Sequence, residues 1–482
     1  MLWQVFFSYF RSIIYGKLFF MVRVFRHYIP TSFVLLGVIE VLILMLSVYL
    51  GTSLRFRSSE SPLDFDSLLF GKALMFSALM LTSMTFMGLY QRHLREGMVA
   101  VLLRVVSSLV LGFVLLSILF YVFPSIAIGR GVFALSSGVA LVLMLLVRFV
   151  FIRYVDDDTG NRRILVLGVG NRAMAINNLL RRKTDQRGFS IVGYVKFPGE
   201  RVVVAENIIQ HDVTLLELST KYQIDEIVVA IEDRRKSFPM HEIVDCRMSG
   251  VDVVDLLTFF ERQTGKVMID ILSPSWLVFS DGFKYGALRV YSKRLFDIVA
   301  SLLLLFASLP VIIVTVIAIF LEDQGPILYR QVRVGENWKL FQVLKFRSMR
   351  VDAEGDGQAQ WASKNDSRIT RVGDIIRKLR IDELPQIINV LRGDMSFVGP
   401  RPERPVFVEQ LAENIDYYSE RHRVKPGITG WAQICYPYGD SEKDSYEKLQ
   451  FDLYYVKNYS LFLDLVILFQ TAGAVLWGKG GR

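Results

Sequence analysis

At 482 residues the chain is too long for one compact core, and 52% hydrophobic residues with a mean hydropathy of +0.36 exclude an average soluble domain. The formal charge of +9 points to anionic partners: lipid headgroups, phosphorylated substrates or nucleic acid. Only two cysteines, Cys246 and Cys435, and five scattered histidines are present, which excludes a disulfide framework and argues against a zinc enzyme.

Residues 1–30 mix aromatics with Arg11, Lys17, Arg23 and Arg26, without an apolar core followed by a small-residue cleavage site. An interfacial amphipathic segment is expected rather than a signal peptide. Four apolar stretches follow at about 31–54, 68–90, 99–123 and 131–154. Each reaches the roughly 20 residues that a helix needs to cross the hydrocarbon core, so four transmembrane helices are expected over 31–154. Arg23 and Arg26 before the first stretch, Arg92 and Arg95 between the second and third, and Arg162 and Arg163 after the fourth place both ends of the bundle in the cytoplasm, against a weaker signal from Arg55, Arg57 and Arg130. Glu40 and Arg104 lie within the stretches, and the expectation is that they pair or snorkel.

From Arg162 short apolar strands alternate with helical patterns, giving a Rossmann-like parallel α/β domain at 160–270. Gly168 and Gly170 stand between the first strand and its helix, where glycines let a backbone approach a pyrophosphate. The acidic residue that would hold a ribose is missing from Gly193-Tyr-Val-Lys-Phe-Pro-Gly199, and Tyr-x-x-x-Lys, the proton-transfer pair of nucleotide-sugar dehydratases, occurs nowhere. A degenerate or purely structural module is the favoured reading over a working NAD site.

A linker at 271–290 leads to a fifth apolar stretch at 296–321, preceded by Lys293-Arg294 and carrying Pro310. A full crossing would put a segment dense in Arg and Lys outside the cytoplasm, whereas a helix broken at proline can enter and turn back. A re-entrant helix over 293–322 with its break at Pro310 is therefore expected, with a spanning kinked helix as the alternative, opening a mainly helical cytoplasmic catalytic domain at 291–482. The fold class expected for the whole is membrane α/β.

Arg330, Arg333, Lys345, Arg347, Arg368, Arg371, Arg377, Arg380, Arg392 and Arg401 are spaced among glycines and apolar residues like the walls of an anion pocket. Among them lies Arg380-Ile-Asp382-Glu383-Leu-Pro385-Gln386. Pro385 in a first turn puts Asp382 near the N-cap of a helix running through Val390. Asp382 either caps that helix or, ionised among arginines, attacks phosphorus. Glu383 adds a second carboxylate, and the pair suits Mg²⁺.

Lys293-Arg-Leu-Phe-Asp297, Gln331-Val-Arg333-Val-Gly335, Lys345-Phe-Arg-Ser-Met349, Asp382-Glu-Leu-Pro-Gln386, Ser396-Phe-Val-Gly-Pro-Arg-Pro402 and Lys425-Pro-Gly-Ile-Thr-Gly-Trp431 stand in collinear order. Together they resemble the bacterial sugar transferase family, the monotopic phosphoglycosyl transferases, and the N-terminal half resembles that family's large subclass. The resemblance implies that Asp382 attacks the sugar-bearing phosphorus of a UDP-sugar, releasing UMP and leaving an aspartyl-phosphosugar. Undecaprenyl phosphate then attacks, giving undecaprenyl-diphosphate-sugar, the initiating step of exopolysaccharide or O-antigen synthesis. Glu383 would assist through Mg²⁺ or proton handling, and Lys345, Arg347, Arg377, Arg401 and Arg333 would hold phosphates. The implied place is the bacterial inner membrane, catalytic domain on the cytoplasmic face, with membrane lipid but no nucleic acid as partner. The sugar (glucose or galactose by subclass) and the oligomeric state, with a homodimer among the options, are left open.

One departure is Leu309-Pro310 where the family often has Ser-Pro at the break, so the hydroxyl that would back-bond a freed carbonyl is expected to be missing. Lys425–Trp431 either closes over the nucleotide or is a surface loop, and the apolar tail at 461–477 is expected against the bilayer, with a buried core helix as the alternative. Two other classes compete: a membrane-anchored NAD-dependent nucleotide-sugar dehydratase or epimerase, and a membrane scaffold without activity.

Overall fold

The structure is a computed structural model. It describes residues 21–24, 27–56, 67–87, 89–90, 98–154, 162–179, 189–198, 200–204, 207–232, 238–272, 274–280, 282–283, 286–350, 368–436, 439 and 441–476. Most of the expected interfacial segment, the loop cations Arg57, Arg92 and Arg95, and Trp477 lie outside these residues. Two compact units divide the chain, residues 1–24 with 28–263 and residues 25–27 with 264–482.

In the first unit, two four-residue strands, β1 (Met21–Val24) and β2 (His27–Pro30), precede the long helices α1 (Thr31–Arg55), α2 (Ser67–Phe86), α3 (Met98–Val122) and α4 (Arg130–Tyr154). All four are long and apolar enough to cross a membrane. Their inner faces share one core of Leu44, Phe76, Met80, Leu109 and Met144, while Leu42, Leu103 and Val142 point outward. Apolar residues on every face are what lipid on the outside and packing on the inside both require. Gly51 lets α1 and α4 approach closely, because a Cβ there would lie 2.7 Å from the Ser136 amide nitrogen.

Glu40 does not pair with Arg104. It is fully buried against Arg148 of α4, with Nε–Oε1 at 2.5 Å and Nη2–Oε2 at 3.1 Å, and Tyr90 donates to it as well. Arg104 donates to the Met87 carbonyl, at 3.4 Å. A carboxylate and a guanidinium, both removed from water, must find each other, and Arg148 offers a two-bond fork.

The α/β domain runs β3 (Arg162–Leu167), α5 (Asn171–Leu179), β4 (Phe189–Lys196), β5 (Ile208–Gln210), α6 (Leu215–Lys221), β6 (Glu226–Val229), α7 (Met240–Met248), β7 (Asp252–Asp255) and α8 (Leu256–Thr264). Its five strands are all parallel in the order β5-β4-β3-β6-β7. The central strands β3 and β6 are buried on both faces, which explains their continuous apolar runs.

The second unit opens just before the segment expected to be a linker, whose Leu272, Trp276 and Phe283 pack partly buried against this unit's core. Trp431 Nε1 donates to the Gly265 carbonyl at 2.7 Å, Val267 N to Gln450 O at 3.0 Å and Phe283 N to Lys457 O at 3.2 Å. Short helix α9 (Pro274–Phe279) brings Trp276 under the Lys457 ammonium, 3.8 Å from the ring centre. Helix α10 (Ala287–Asp323) then runs for 37 residues with Pro310 inside. Two residues before Pro310, Ser308 Oγ donates to Leu304 O at 2.6 Å, a back-bond that bends helices, whereas the carbonyl that Pro310 frees is that of Phe306, to which Ser308 does not donate.

Beyond α10 come the antiparallel hairpin β8 (Leu328–Val334) and β9 (Leu340–Phe346), helices α11 (Arg371–Lys378) and α12 (Gln386–Arg392), strand β10 (Ser396–Val398), helix α13 (Pro405–Asn414), strand β11 (Gly427–Thr429) and helices α14 (Trp431–Cys435), α15 (Glu442–Asn458) and α16 (Leu461–Leu476). The Lys425–Trp431 motif is not a surface loop. Its β11 pairs in parallel with β10, Ser396 opposite Gly427 and Val398 opposite Thr429, and Trp431 is buried. The tail helix α16 buries Leu463, Asp464 and Ile467 in the same core as Leu453 and Tyr455.

Candidate active site

Three elements converge on residues 380–383. Arg380 takes a left-handed conformation, φ 58°, and turns the chain from α11 into a 3-10 turn, Ile381–Glu383. A bulky residue held there costs stability, and such strain gathers where a site needs an otherwise inaccessible direction. Helix α12 begins only at Gln386, with Pro385 at its N-cap and no side-chain cap bond. Asp382 is therefore not the cap of that helix, and the structural role weighed for it is removed.

Strand β9 is fastened to α12 by Asn389, whose Oδ1 accepts from Leu344 N at 3.0 Å while its Nδ2 donates to Gln342 O at 2.7 Å. This lock brings Lys345, the next residue on β9, within 3.1 Å of Glu383 Oε1. Arg401 arrives from the other side at 3.4 Å and Arg380 at 3.8 Å, on the same oxygen. Among the described residues no cation stands within ion-pair distance of the Asp382 carboxylate, although Asp382 is only 8% exposed.

The expectation that arginines ring Asp382 is thus corrected: the cations gather on its neighbour. Burial pushes the Glu383 carboxyl up, but Lys345, Arg401 and Arg380 together outweigh it and hold it at about 2. For Asp382 burial comes first, the Glu383 charge adds to it, and the more distant Lys345, Arg380 and Arg377 do not compensate, so its carboxyl lies above the usual aspartate range. The result is one firmly anionic side chain and, beside it, a desolvated carboxylate with little hydrogen bonding to blunt it. That is the electrostatic contrast a carboxylate nucleophile requires.

Arg401 is fixed from behind. Its guanidinium also donates to Gln433 Oε1 at 3.1 Å, and its carbonyl accepts from buried Arg421 at 2.9 Å. Arg421 is itself paired with buried Asp452 at 2.8 Å and with the Tyr418 hydroxyl at 2.8 Å. Arg333 is spent on Gln331, the Pro402 carbonyl and Glu403, at 2.6, 3.1 and 3.2 Å, and braces the Arg401 loop rather than meeting Asp382. Arg347 is buried just past β9, with its amide on Ile327 O. Pro310 and the glycines Gly168 and Gly170 belong to other parts of the chain.

The Lys293–Asp297 motif carries the scaffold. Arg294 donates to the carbonyls of Val390 and Leu391 at the end of α12, at 2.5 and 2.6 Å. Asp297 accepts from Ser396 Oγ at 3.0 Å and Phe397 N at 3.2 Å, and Lys293 reaches Asp464 at 2.6 Å. At the other end of α10, Glu322 accepts from the Arg371 amide at 2.8 Å, at the start of α11. Sequence reasoning counted Arg380 among the pocket cations but assigned no role to Asn389, Arg421 or Asp452; of these three Arg421 carried a signal, its position just upstream of a motif.

Were Mg²⁺ to bind here, Oε1 of Glu383 is already taken by three cations, and its Oε2 and the Asp382 carboxylate are the oxygens that would hold the ion. Two carboxylate oxygens fit an ion completed by phosphate oxygens and water.

The family model described as bacterial sugar transferase matches residues 288–478, and one described as CoA-binding domain matches residues 85–237. The chain is 42% identical over 237 residues to a UDP-N-acetylgalactosamine-undecaprenyl-phosphate N-acetylgalactosaminephosphotransferase of Aeromonas hydrophila, covering 49% of this chain and 55% of that protein. It is 39% identical over 242 residues to a UDP-glucose:undecaprenyl-phosphate glucose-1-phosphate transferase of Escherichia coli (strain K12), covering 48% and 50%. A protein of the same description in Xanthomonas campestris pv. campestris is 32% identical over 332 residues, covering 66% and 67%. The chain spans about half to two thirds of the length of these relatives. With that last alignment, the chain belongs to the bacterial sugar transferase family.

Proposed function

We propose that the chain transfers a hexose-1-phosphate from a UDP-sugar to undecaprenyl phosphate, yielding undecaprenyl-diphosphate-sugar and UMP. The observation that carries this reading is the division of labour in the dyad: Glu383 takes Lys345, Arg401 and Arg380, while Asp382, buried and without an ion-pair partner among the described residues, is left to react. Asp382 attacks the sugar-bearing phosphorus, and UMP leaves with the bridging oxygen. The polyprenyl phosphate oxygen then displaces the aspartyl oxygen from that phosphorus. Glu383 holds the three cations where phosphate oxygens arrive, so charge is neutralised by groups already in place. Mg²⁺, when bound, would supply further neutralisation of phosphate charge.

The family membership and the relatives' names support the substrate class, with glucose and N-acetylgalactosamine both represented among them. A membrane location is supported by five helices long and apolar enough to span, and we place the catalytic unit on the cytoplasmic face of the inner membrane. In this reading α10 enters the bilayer and turns back at Pro310. Support comes from its ends, since Arg294 and Glu322 engage α12 and α11 of the same unit, and from its middle, where Leu303 and Phe306 are 66% and 83% exposed.

The test is to incubate membranes holding the protein with a panel of radiolabelled UDP-sugars and polyprenyl phosphate. One sugar should appear in the organic phase with matching UMP, and the Asp382→Asn protein should yield neither. Organic-soluble label at the wild-type rate from Asp382→Asn would refute the reading.

A further inference from the structure

We propose that the phosphate nest of the α/β domain is liganded by the protein's own carboxylates, Glu232 and Glu200, so that this domain takes no dinucleotide and no coenzyme A. The nest itself is well formed. Gly168, at φ 119°, turns the chain out of β3, and a Cβ there would lie 2.9 Å from the Ala230 carbonyl. The following amides lead into α5, the arrangement that binds a pyrophosphate in dinucleotide-binding folds.

Those amides are already used. Asn171 N donates to Glu232 Oε1 at 2.5 Å, and Val169 N donates to Glu200 Oε2 at 3.3 Å. Gly170 is the position where such folds leave room for a phosphate oxygen. Here a Cβ would lie 2.6 Å from Glu232 Oε1, so a carboxylate fills the room that glycine leaves. The two acids come from different segments, Glu232 from beyond β6 and Glu200 from beyond β4, and both face one nest. Glu200 is also the first acidic residue after β4, where a ribose-binding acid would be sought, and it is turned to the Val169 amide instead. An incoming pyrophosphate would have to expel two negative groups that the fold supplies at no cost in binding entropy. The glycines in this sequence are therefore kept for a carboxylate, and the domain serves as a scaffold.

Hydrogen exchange on the full-length protein reads this nest separately from the transferase site. In the wild type the Val169 and Asn171 amides should exchange slowly, and NAD, coenzyme A or inorganic pyrophosphate at millimolar concentration should leave their rates unchanged. In the Glu200→Gln/Glu232→Ala protein the same amides should exchange at least about tenfold faster, and pyrophosphate should slow them again. Retained protection in β3 and β6 would show that the domain is folded; should it be lost, Glu232→Ala alone makes the same comparison at Asn171. Slowing of these amides in the wild type by any of the three ligands would overturn the proposal. So would unchanged rates in the variant, or a variant that pyrophosphate does not protect.

Discussion

Replacing Glu383 by glutamine keeps its shape and removes the charge on which Lys345, Arg401 and Arg380 converge. Its carboxyl is brought from the ordinary 4.5 to about 2, which corresponds to at most about 3 kcal/mol of preferential stabilisation of the ionised form in the folded state. Arg401 and Arg380 are 42% and 41% exposed, so water screens part of this, and a loss of about 1–3 kcal/mol is expected at neutral pH. A depressed carboxyl stabilises the fold above its unfolded value and ceases to do so as pH falls toward its folded value. The gap between wild type and Glu383→Gln should therefore be constant from pH 8 to about 5 and should close between about 4.5 and 2. Thermal melts of both proteins in the same detergent, taken across that range, measure it. Equal melting temperatures at pH 7, or a gap that widens with acid, would refute the assignment of Glu383 as the hub of the cations.

Asp382 has the opposite sign. Its carboxyl is raised, so its ionisation opposes folding once pH climbs through the ordinary 3.8 and beyond, and Asp382→Asn should melt higher than wild type at pH 7 with the difference vanishing in acid. The same shift places the acid limb of the pH–rate profile above the usual aspartate range, which initial rates from pH 4 to 8 would reveal. Arg421→Met strands buried Asp452 and should cost about 3–5 kcal/mol in denaturant melts, most of it recovered in Arg421→Met/Asp452→Leu. Asn389→Ala unfastens β9 from α12 and should cost about 1–3 kcal/mol, accompanied by weaker UDP-sugar binding as Lys345 drifts, checked by melts and by KM.

The spans, the parallel sheet and the Asp382–Glu383 pair were legible because each depends on local pattern: hydropathy over about 20 residues, strand and helix alternation, or motif spacing. What depends on distant partners was not. Glu40 chose Arg148, 108 positions away, over the nearer Arg104, because helix packing decides which guanidinium reaches it. Segment 271–290 read as a linker, yet Trp276 and Phe283 find partners in α15, which local pattern does not announce. Lys425–Trp431 is rich in turn formers, and nothing local indicates that β11 lies beside β10. Asp382 was placed near a helix N-cap because Pro385 marks a first turn, whereas the left-handed Arg380 inserts a 3-10 turn ahead of that helix. Of the pocket cations Lys345, Arg380 and Arg401 meet Glu383 while Arg333 turns to Glu403, and which carboxylate a cation meets depends on side-chain direction, which spacing does not encode.

The most direct measurement is the mass of the peptide containing Asp382 after the purified protein is mixed with the accepted UDP-sugar and quenched in acid without polyprenyl phosphate. The account predicts an added hexose phosphate on Asp382, discharged when polyprenyl phosphate is supplied. An unmodified peptide in a protein that releases UMP and forms product at full rate would contradict it.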